Sequence, residues 1–480
     1  MGVSFVFCHG EYAPSGFASV SIEWRDYRAG LGMLGVSCGA IDVLTASSSQ
    51  PFWGCLAVIR TLMRQAVVVR DRRLVEAEMV AMSDEAAIDF TEALQAWMEG
   101  AGAAPPLLHT FTSSPEDLEA FGEALSEEWN RLLDAVDARS SNTPAEAPLA
   151  VSGPQVVAVL DFYDLRCWGS ILWKRLAERA LAGSLGPAVE LRFVVRAMTE
   201  SDRLPDEQAL LLSSFDEIWV PSSFHLPVFA RPEVAPTFVV PESFDESFFS
   251  AALAPARSEL SAGITFLAVS FYRPVAEVPS WNEVRKAMPL TMEAFFREFG
   301  GQPGARLIVK GASGDAETRS EILAWMESRG IDPSFIEQLE LVGFCDASAL
   351  RDLYAKADVF VGVSRGEGWG RPIVEAMGMG LPCIVTRFSG PVEFVRDDCA
   401  YLVDAPLAQV STFLPTFVGW GNFANPSVDA IREAMRTAAS DGLLLRAKGA
   451  RAAEHVHAHY HRAAIAERMV ARARVFFARS

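Results

Sequence analysis

The sequence predicts an α/β protein built from two Rossmann-like, doubly wound domains facing a cleft. Three observations lead there. Short apolar runs alternate with helical patterns, the pattern of strand and crossover helix in a parallel sheet. The alternation begins afresh after Ala254 to Gly263, a stretch rich in Ala, Pro, Arg and Ser. At 480 residues the chain is also too long for one ordinary core and suits two domains, or three at roughly 150 residues each.

In chain order, Phe5 to Cys8 is an apolar run ending at Gly10, and Ser15-Gly16 precedes a helical pattern through Trp24, Tyr27 and Leu31 to Gly35. This is a first strand, glycine loop and helix. Its loop, with Gly16, faces whatever binds above the sheet, the alternative being a plain tight turn. Helical patterns follow at 85 to 98 and 115 to 136, and a polar, Pro-containing run at 140 to 154 is an exposed loop. Four apolar runs then predict parallel strands near 156–162, 191–195, 217–220 and 237–240.

Past the linker, strands are expected at 264–270, 306–309, 339–342, 359–363 and 383–386, with helices near 289–299, 318–329 and 347–356. The resulting division is 1–255 for the first domain, 256–440 for the second and 441–480 for a terminal helical segment. That segment, rich in Ala and Arg, is long enough at ~1.5 Å per residue to cross back to the first domain.

Bulk properties remove several function classes. Half the chain is apolar, so it folds, and a net charge of −19 argues against a nucleic-acid partner, which draws its affinity from clustered Lys and Arg. Seven scattered cysteines without a C-x-x-C pair read as reduced core thiols of a cytoplasmic protein. The first ten residues lack the basic start and long apolar run of a signal peptide. Arg60 and Arg64 interrupt the apolar stretch from Pro51 to Val69, so no membrane span is expected.

The chemistry concentrates between 364 and 394. Glu367 lies in a glycine-rich loop after an apolar strand, and Glu375 follows eight positions later on a helix that Pro372 can open. Free amides at a helix start suit a diphosphate, and a carboxylate suits a vicinal diol such as a ribose. Spacing alone is weak in a chain with 61 acidic residues. The ordered set Glu-Gly-Trp-Gly-Arg-Pro, Glu-Ala-Met, Gly-Leu-Pro and Ser-Gly-Pro is specific.

This stretch resembles the C-terminal half of the family 4 retaining glycosyltransferases, which have the glycosyltransferase B architecture. The resemblance covers about 190 to 420 well and the start loosely. It implies transfer of a hexose from a nucleotide diphosphate sugar, with retained configuration, to an unidentified acceptor. It also implies no metal or other cofactor. Glu375 is expected to hold the ribose and Glu367 the donor sugar, with the amides of Gly368, Trp369 and Gly370 on sugar oxygens. Lys286 first and Arg285 second match the family's phosphate-binding pair, placed after the second domain's first strand and before its first helix.

An inserted segment from Phe271 to Val284 makes Arg273 a rival for the arginine role. Lys310, ending its strand, is a further candidate for facing the cleft. Gly343 and Phe344 are candidate readers of the base through their backbone. Where many relatives place a histidine after the strand at 191–195, this chain has Met198, Thr199 and Glu200, and Glu200 is the substitute. His455, His457, His459 and His461 have the spacing of a zinc helix, but no further ligands complete a site, and docking is expected of that helix. The competing readings are hydrolysis or epimerisation of the nucleotide sugar, and a non-catalytic scaffold.

Overall fold

The computed structural model of the chain describes residues 3–9, 18–42, 123, 154–161, 181, 185, 189–213, 215–253, 263–270, 281–311, 315–343, 345–415, 417 and 419–478. The helix expected at 85–98, all but residue 123 of the one at 115–136, and nearly all of the loop at 140–154 and of the linker lie outside the described residues. So do Gly16, Arg273 and Phe344. The chain divides into two compact units, Met1–Ala18 with Val36–Arg196 and Leu210–Glu217, and Ser19–Gly35 with Ala197–Ala209 and Ile218–Ser480. The second unit thus includes residues from both sides of the expected linker.

In the first unit, β1 (Val3–His9), β2 (Cys38–Asp42), β3 (Gln155–Asp161) and β4 (Glu190–Arg196) are parallel in the order β2-β1-β3-β4. Phe5 stands between Cys38 on one neighbour and Val157 on the other. Val156 to Leu160 are all buried, as expected of a strand covered on both faces, where the sequence reads as an unbroken apolar run.

The second unit contains β5 (Glu217–Val220) from Ile218 onward, paired in parallel with β6 (Thr237–Val239). It also holds helix α1 (Ala18–Met33) from its second residue on, and the short helix α2 (His225–Phe229). Its main sheet consists of β7 (Ile264–Val269), β8 (Ala305–Lys310), β9 (Leu339–Val342), β10 (Val359–Gly362), β11 (Cys383–Thr386) and β12 (Ala400–Val403). The order is β12-β11-β10-β7-β8-β9, and every neighbouring pair is parallel. A reversal of strand order beside the first strand is the switch point of doubly wound sheets, where loops leaving the C-terminal strand ends open a crevice.

The helices of this unit are α3 (Trp281–Lys286), α4 (Met288–Phe299), α5 (Ala316–Ser328), α6 (Ala347–Lys356) and α7 (Arg371–Gly378). Aspartates cap two of them: Asp315 accepts from Thr318 N and Asp346 from Ala349 N, both at 2.8 Å, satisfying donors that have no partner within the helix. Pro372 is the second residue of α7, not its first. It still sits where the missing N–H costs nothing. A two-stranded antiparallel hairpin, β13 (Leu407–Gln409) and β14 (Asn422–Ala424), encloses the one-turn helix α8 (Val410–Phe413).

The core between α4 and the sheet is aromatic. Phe295 is wholly buried, and its ring lies 6.0 Å from Phe266 and 5.8 Å from Phe299. Ile431, Met435 and Ala438 of α9 (Val428–Ser440) close the same cluster. The last residues form α10 (Gly442–His459) and α11 (Arg462–Ala478). Arg462 pairs with Asp245 at 2.9 Å and Glu246 at 3.0 Å, and Arg472 lies over the Phe238 ring. No described helix is long and apolar enough to cross a membrane.

Phe295 anchors this cluster, so Phe295→Ala is expected to cost about 3–5 kcal/mol of stability, the transfer and cavity cost of a fully buried aromatic ring. Urea unfolding followed by tryptophan fluorescence measures it. A loss below about 1 kcal/mol, the range of surface substitutions and mild core swaps, would show that the ring is not the keystone drawn here.

Candidate functional site

β10 is apolar along its length and delivers the chain into the loop 363–370, which ends at the left-handed Gly370 that caps α7. Gly366 is required by close approach: a Cβ there would stand 2.0 Å from the carbonyl oxygen of Glu200. The segment 197–203 therefore lies directly on the loop. A second loop, after β11, fixes the glutamate from behind. Ser389 Oγ accepts from Glu367 N at 2.8 Å, and Gly390 N donates to Glu367 O at 2.8 Å.

Glu367 is buried, and two cations share its carboxylate. Arg285 Nη1 donates to Oε2 at 2.8 Å and Lys286 Nζ to Oε1 at 2.7 Å. Arg285 Nη1 also donates to Gly366 O at 2.9 Å, and its Nε faces Glu200 Oε1 at 3.8 Å. Four of the residues singled out from the sequence, Glu200, Arg285, Lys286 and Glu367, thus come together. Burial alone would push the Glu367 carboxyl up, but Lys286 and Arg285 outweigh it and hold the group below the ordinary range. Burial dominates at Lys286 and lowers its ammonium, whereas at Arg285 the carboxylates of Glu367 and Glu200 overcome burial. Lys286 keeps 19% of its side chain exposed, so it is the cation a solute reaches.

The position of the pair corrects the expectation that it precedes the first helix. Arg285 and Lys286 form the last turn of α3, and the left-handed Ala287 separates them from α4. Cations suit a helix C-terminus, where the free carbonyls carry the negative end of the dipole. The inserted segment thus supplies a short helix of its own.

Glu375 lies elsewhere in the same unit, in a second polar cluster. Tyr354 Oη donates to its Oε2 at 3.1 Å, and Arg371 Nε stands 3.6 Å from its Oε1. The same guanidinium bonds to Asp26, donates to Ser243 O at 3.2 Å and lies 3.8 Å from Glu242. Three buried carboxylates thus surround one arginine, with Arg25 also 3.6 Å from Asp26. Burial pushes Glu375 up to about 7, with the Arg371 charge and the Tyr354 bond opposing, and burial likewise raises Asp26.

Gly368, Trp369 and Gly370 are buried, and among the described residues no backbone or side-chain acceptor takes their amides. A run of N–H groups without acceptors at a helix start can take an anion or a hydroxyl. The Trp369 side chain packs on Phe394, with ring centroids 4.6 Å apart, and its buried Nε1 has no hydrogen-bond partner among the described residues. Lys310 ends β8, partly buried, and its charge acts on Glu375. Gly343 directly follows β9, whose last carbonyl, that of Val342, accepts from Gly311 N at 2.7 Å.

Asp26, Tyr354, Arg371 and Ser389 are site residues that sequence reasoning did not assign. Arg371 and Ser389 stood inside the quoted motif strings, where a charged residue in a glycine-rich run was a readable signal. Tyr354 and Asp26 had none, because each reaches the site from a distant helix. His457 Nε2 lies 3.1 Å from Gly378 O, so this histidine docks α10 against α7. Among the described residues no group of three or more His, Cys, Asp or Glu is arranged to hold a metal ion.

Residues 278–412 match the family model described as Glycosyl transferases group 1. A search of curated proteins returned no match. Among solved structures, the chain is similar to a glycosyltransferase from Rickettsia africae, with 11% identity, full coverage of both chains and a TM-score of 0.54. HepE of Anabaena, solved with UDP and glucose, gives 13% identity, a TM-score of 0.52 and coverage of 97% of this chain and 98% of that one. Sucrose-phosphate synthase of Thermosynechococcus elongatus gives 15%, 0.51, and 99% and 100%. The fold is therefore mixed α/β with parallel sheets, of the glycosyltransferase B class.

The raised carboxyl of Glu375 has a readable consequence. Between its ordinary value of 4.5 and about 7, the folded protein keeps a proton that the unfolded chain has released, so stability falls as pH rises through that window. Glu375→Gln removes this slope, which amounts to at most about 3.5 kcal/mol at ~1.4 kcal/mol per unit. Melting temperatures of wild type and variant at pH 5 and pH 8 are expected to diverge, with the variant gaining at pH 8. Parallel profiles would show that Glu375 ionises normally.

Proposed function

We propose that the second unit binds a nucleotide diphosphate sugar and transfers its hexose, with retained configuration and without a metal, to an acceptor. The observation that carries this reading is the pair Arg285 and Lys286 converging on Glu367 beside the unpartnered amides of Gly368, Trp369 and Gly370. A diphosphate leaving group gains negative charge as its bond to the sugar breaks, and preorganised cations stabilise that charge where it develops. Lys286, reachable from solvent, meets the phosphate first. Glu367, relieved of part of its pairing, accepts from a hydroxyl of the donor sugar, and Glu375 accepts from the ribose.

The matched family segment lies within 256–440, which on this reading is the donor-binding domain, with 1–255 on the acceptor side. Support for a uridine nucleotide comes from the similarity to HepE, whose structure holds UDP and glucose. Same-face attack fits the cluster: the departing phosphate, held by Lys286 and Arg285, takes the acceptor's proton, so the mechanism needs no side-chain nucleophile. The cytoplasm, where nucleotide sugars are made, is the proposed location.

Isothermal titration with UDP, GDP and ADP, followed by product analysis of the matching nucleotide sugar with and without acceptors, tests the reading. Free sugar with no acceptor requirement would favour a hydrolase, an altered donor sugar an epimerase, and no binding a scaffold. Two substitutions sharpen it. Lys286→Ala is expected to lower kcat roughly 10²- to 10³-fold, the loss of one preorganised charge contact. Glu375→Ala is expected to weaken nucleotide binding about tenfold, at ~1.4 kcal/mol per decade. Wild-type turnover by the lysine variant would remove the phosphate assignment, and unchanged nucleotide affinity in the glutamate variant the ribose one.

A further inference from the structure

We infer that the β13–β14 hairpin is a positioning clamp for the polar cluster, with Asn422 and Asp202 as its latch. The inference rests on the donor-site reading above and concerns residues outside the matched glutamate motif. One hairpin grips all three segments that supply the cluster.

The first grip is on the segment carrying Glu200. Asn422 N donates to Asp202 Oδ1 at 2.7 Å, Asn422 Nδ2 donates to Oδ2 at 2.9 Å, and Asp202 N returns a bond to Asn422 O at 3.3 Å. The contact is close enough to dictate its neighbour. A Cβ on Gly421 would stand 2.5 Å from Asp202 Oδ1 and 2.6 Å from Arg203 Cβ, and its φ of +77° disfavours any other residue.

The second grip is on the loop carrying Glu367. Ala424 N donates to Arg365 O at 2.9 Å, Arg365 Nη1 donates to Asn425 Oδ1 at 2.9 Å, and the guanidinium lies 4.3 Å over the Phe413 ring. The third is on α3. Val284, next to Arg285, packs on the buried Val410, Leu414 and Phe423, and Arg365 N donates to Arg285 O at 2.7 Å. Glu200 itself reaches Arg285 only at 3.8 Å, a separation at which a small displacement changes the interaction strongly. The latch residues touch none of the charged groups directly. They act by holding the backbones on which those groups stand.

The decisive experiment pairs Asn422→Asp, which sets two carboxylates against each other, with the exchanged double variant Asp202→Asn, Asn422→Asp, which restores one amide and one carboxylate across the contact. Hydrogen exchange of peptides covering 197–203 and 364–368 reports the clamp without reference to activity. Exchange is expected to accelerate in the single variant and to return in the exchanged one. Release of UDP from UDP-glucose, or of the nucleotide from whichever donor the wild type turns over, reports positioning. The single variant is expected to lose about ten- to a hundredfold in kcat with donor KM within about threefold, the scale of a misplacement near 1 Å, and the exchanged variant to recover most of it.

Unchanged exchange in Asn422→Asp overturns the clamp, whatever the activity. Altered exchange with wild-type kcat overturns the positioning role, as does a single-variant loss confined to KM. Should the wild type turn over no nucleotide sugar while exchange still follows the latch, the donor-site reading fails and the clamp stands as a structural device.

Discussion

A buried carboxylate divided between two cations is the interaction on which the rest of this unit depends. Glu367, Arg285 and Lys286 come from a loop after β10 and from the end of α3, so their pairing ties two distant stretches of chain. Withdrawing such charges from water is costly. Attraction repays the cost only where geometry is good and the remaining lone pairs are satisfied. Here the arginine fills a further acceptor on Gly366, and the glutamate's own backbone is bracketed by Ser389 and Gly390. Removing one partner would leave an uncompensated ion in the interior.

The two glutamates of the motif look equivalent in sequence and are made unlike by their surroundings. Glu367 has two cations on one carboxylate and stays ionised. Glu375 shares a single arginine with Asp26 and Glu242, and burial holds it near neutrality at about 7. Environments that push the values of two like groups apart are how one site assigns two roles. A permanently charged group suits organising cations and accepting from a sugar. Glu375 titrates near neutral pH and already accepts from Tyr354.

Much of this was legible beforehand because the features that place the site are local. Strands at 339–342 and 383–386 and the helix at 347–356 begin and end where the apolar runs and the aspartate cap direct. The contact of Glu200 with Arg285 was not legible, because the strands they follow, β4 and β7, are separated by β5 and β6 in the chain. Two errors are instructive. The insertion at 271–284 read as an irregular loop, yet its last residues form α3, because a six-residue apolar and charged run has no periodicity long enough to declare a helix. Asp26 and Tyr354 were invisible for another reason: a partner chosen by tertiary proximity leaves no mark at its own position in the chain.

The hairpin at 407–424 shows where the burden of precision falls in such a fold. The sheet fixes where its strands end, but segments that merely leave those ends are free to drift by the small distances that matter to charge–charge contacts. At 3.8 Å, Glu200 and Arg285 gain or lose with displacement, since Coulomb energy varies inversely with separation. A loop cannot hold that tolerance by itself, because fixing each backbone residue opposes an entropy of about 1–2 kcal/mol. An element cross-linked by backbone bonds and a small apolar cluster spreads that cost over its own folding. The polar latch at Asn422 and Asp202 adds to the bonds that already hold this segment, those of Ser201 Oγ to Arg203 O at 3.1 Å and of His225 Nε2 with Thr199 O at 3.0 Å.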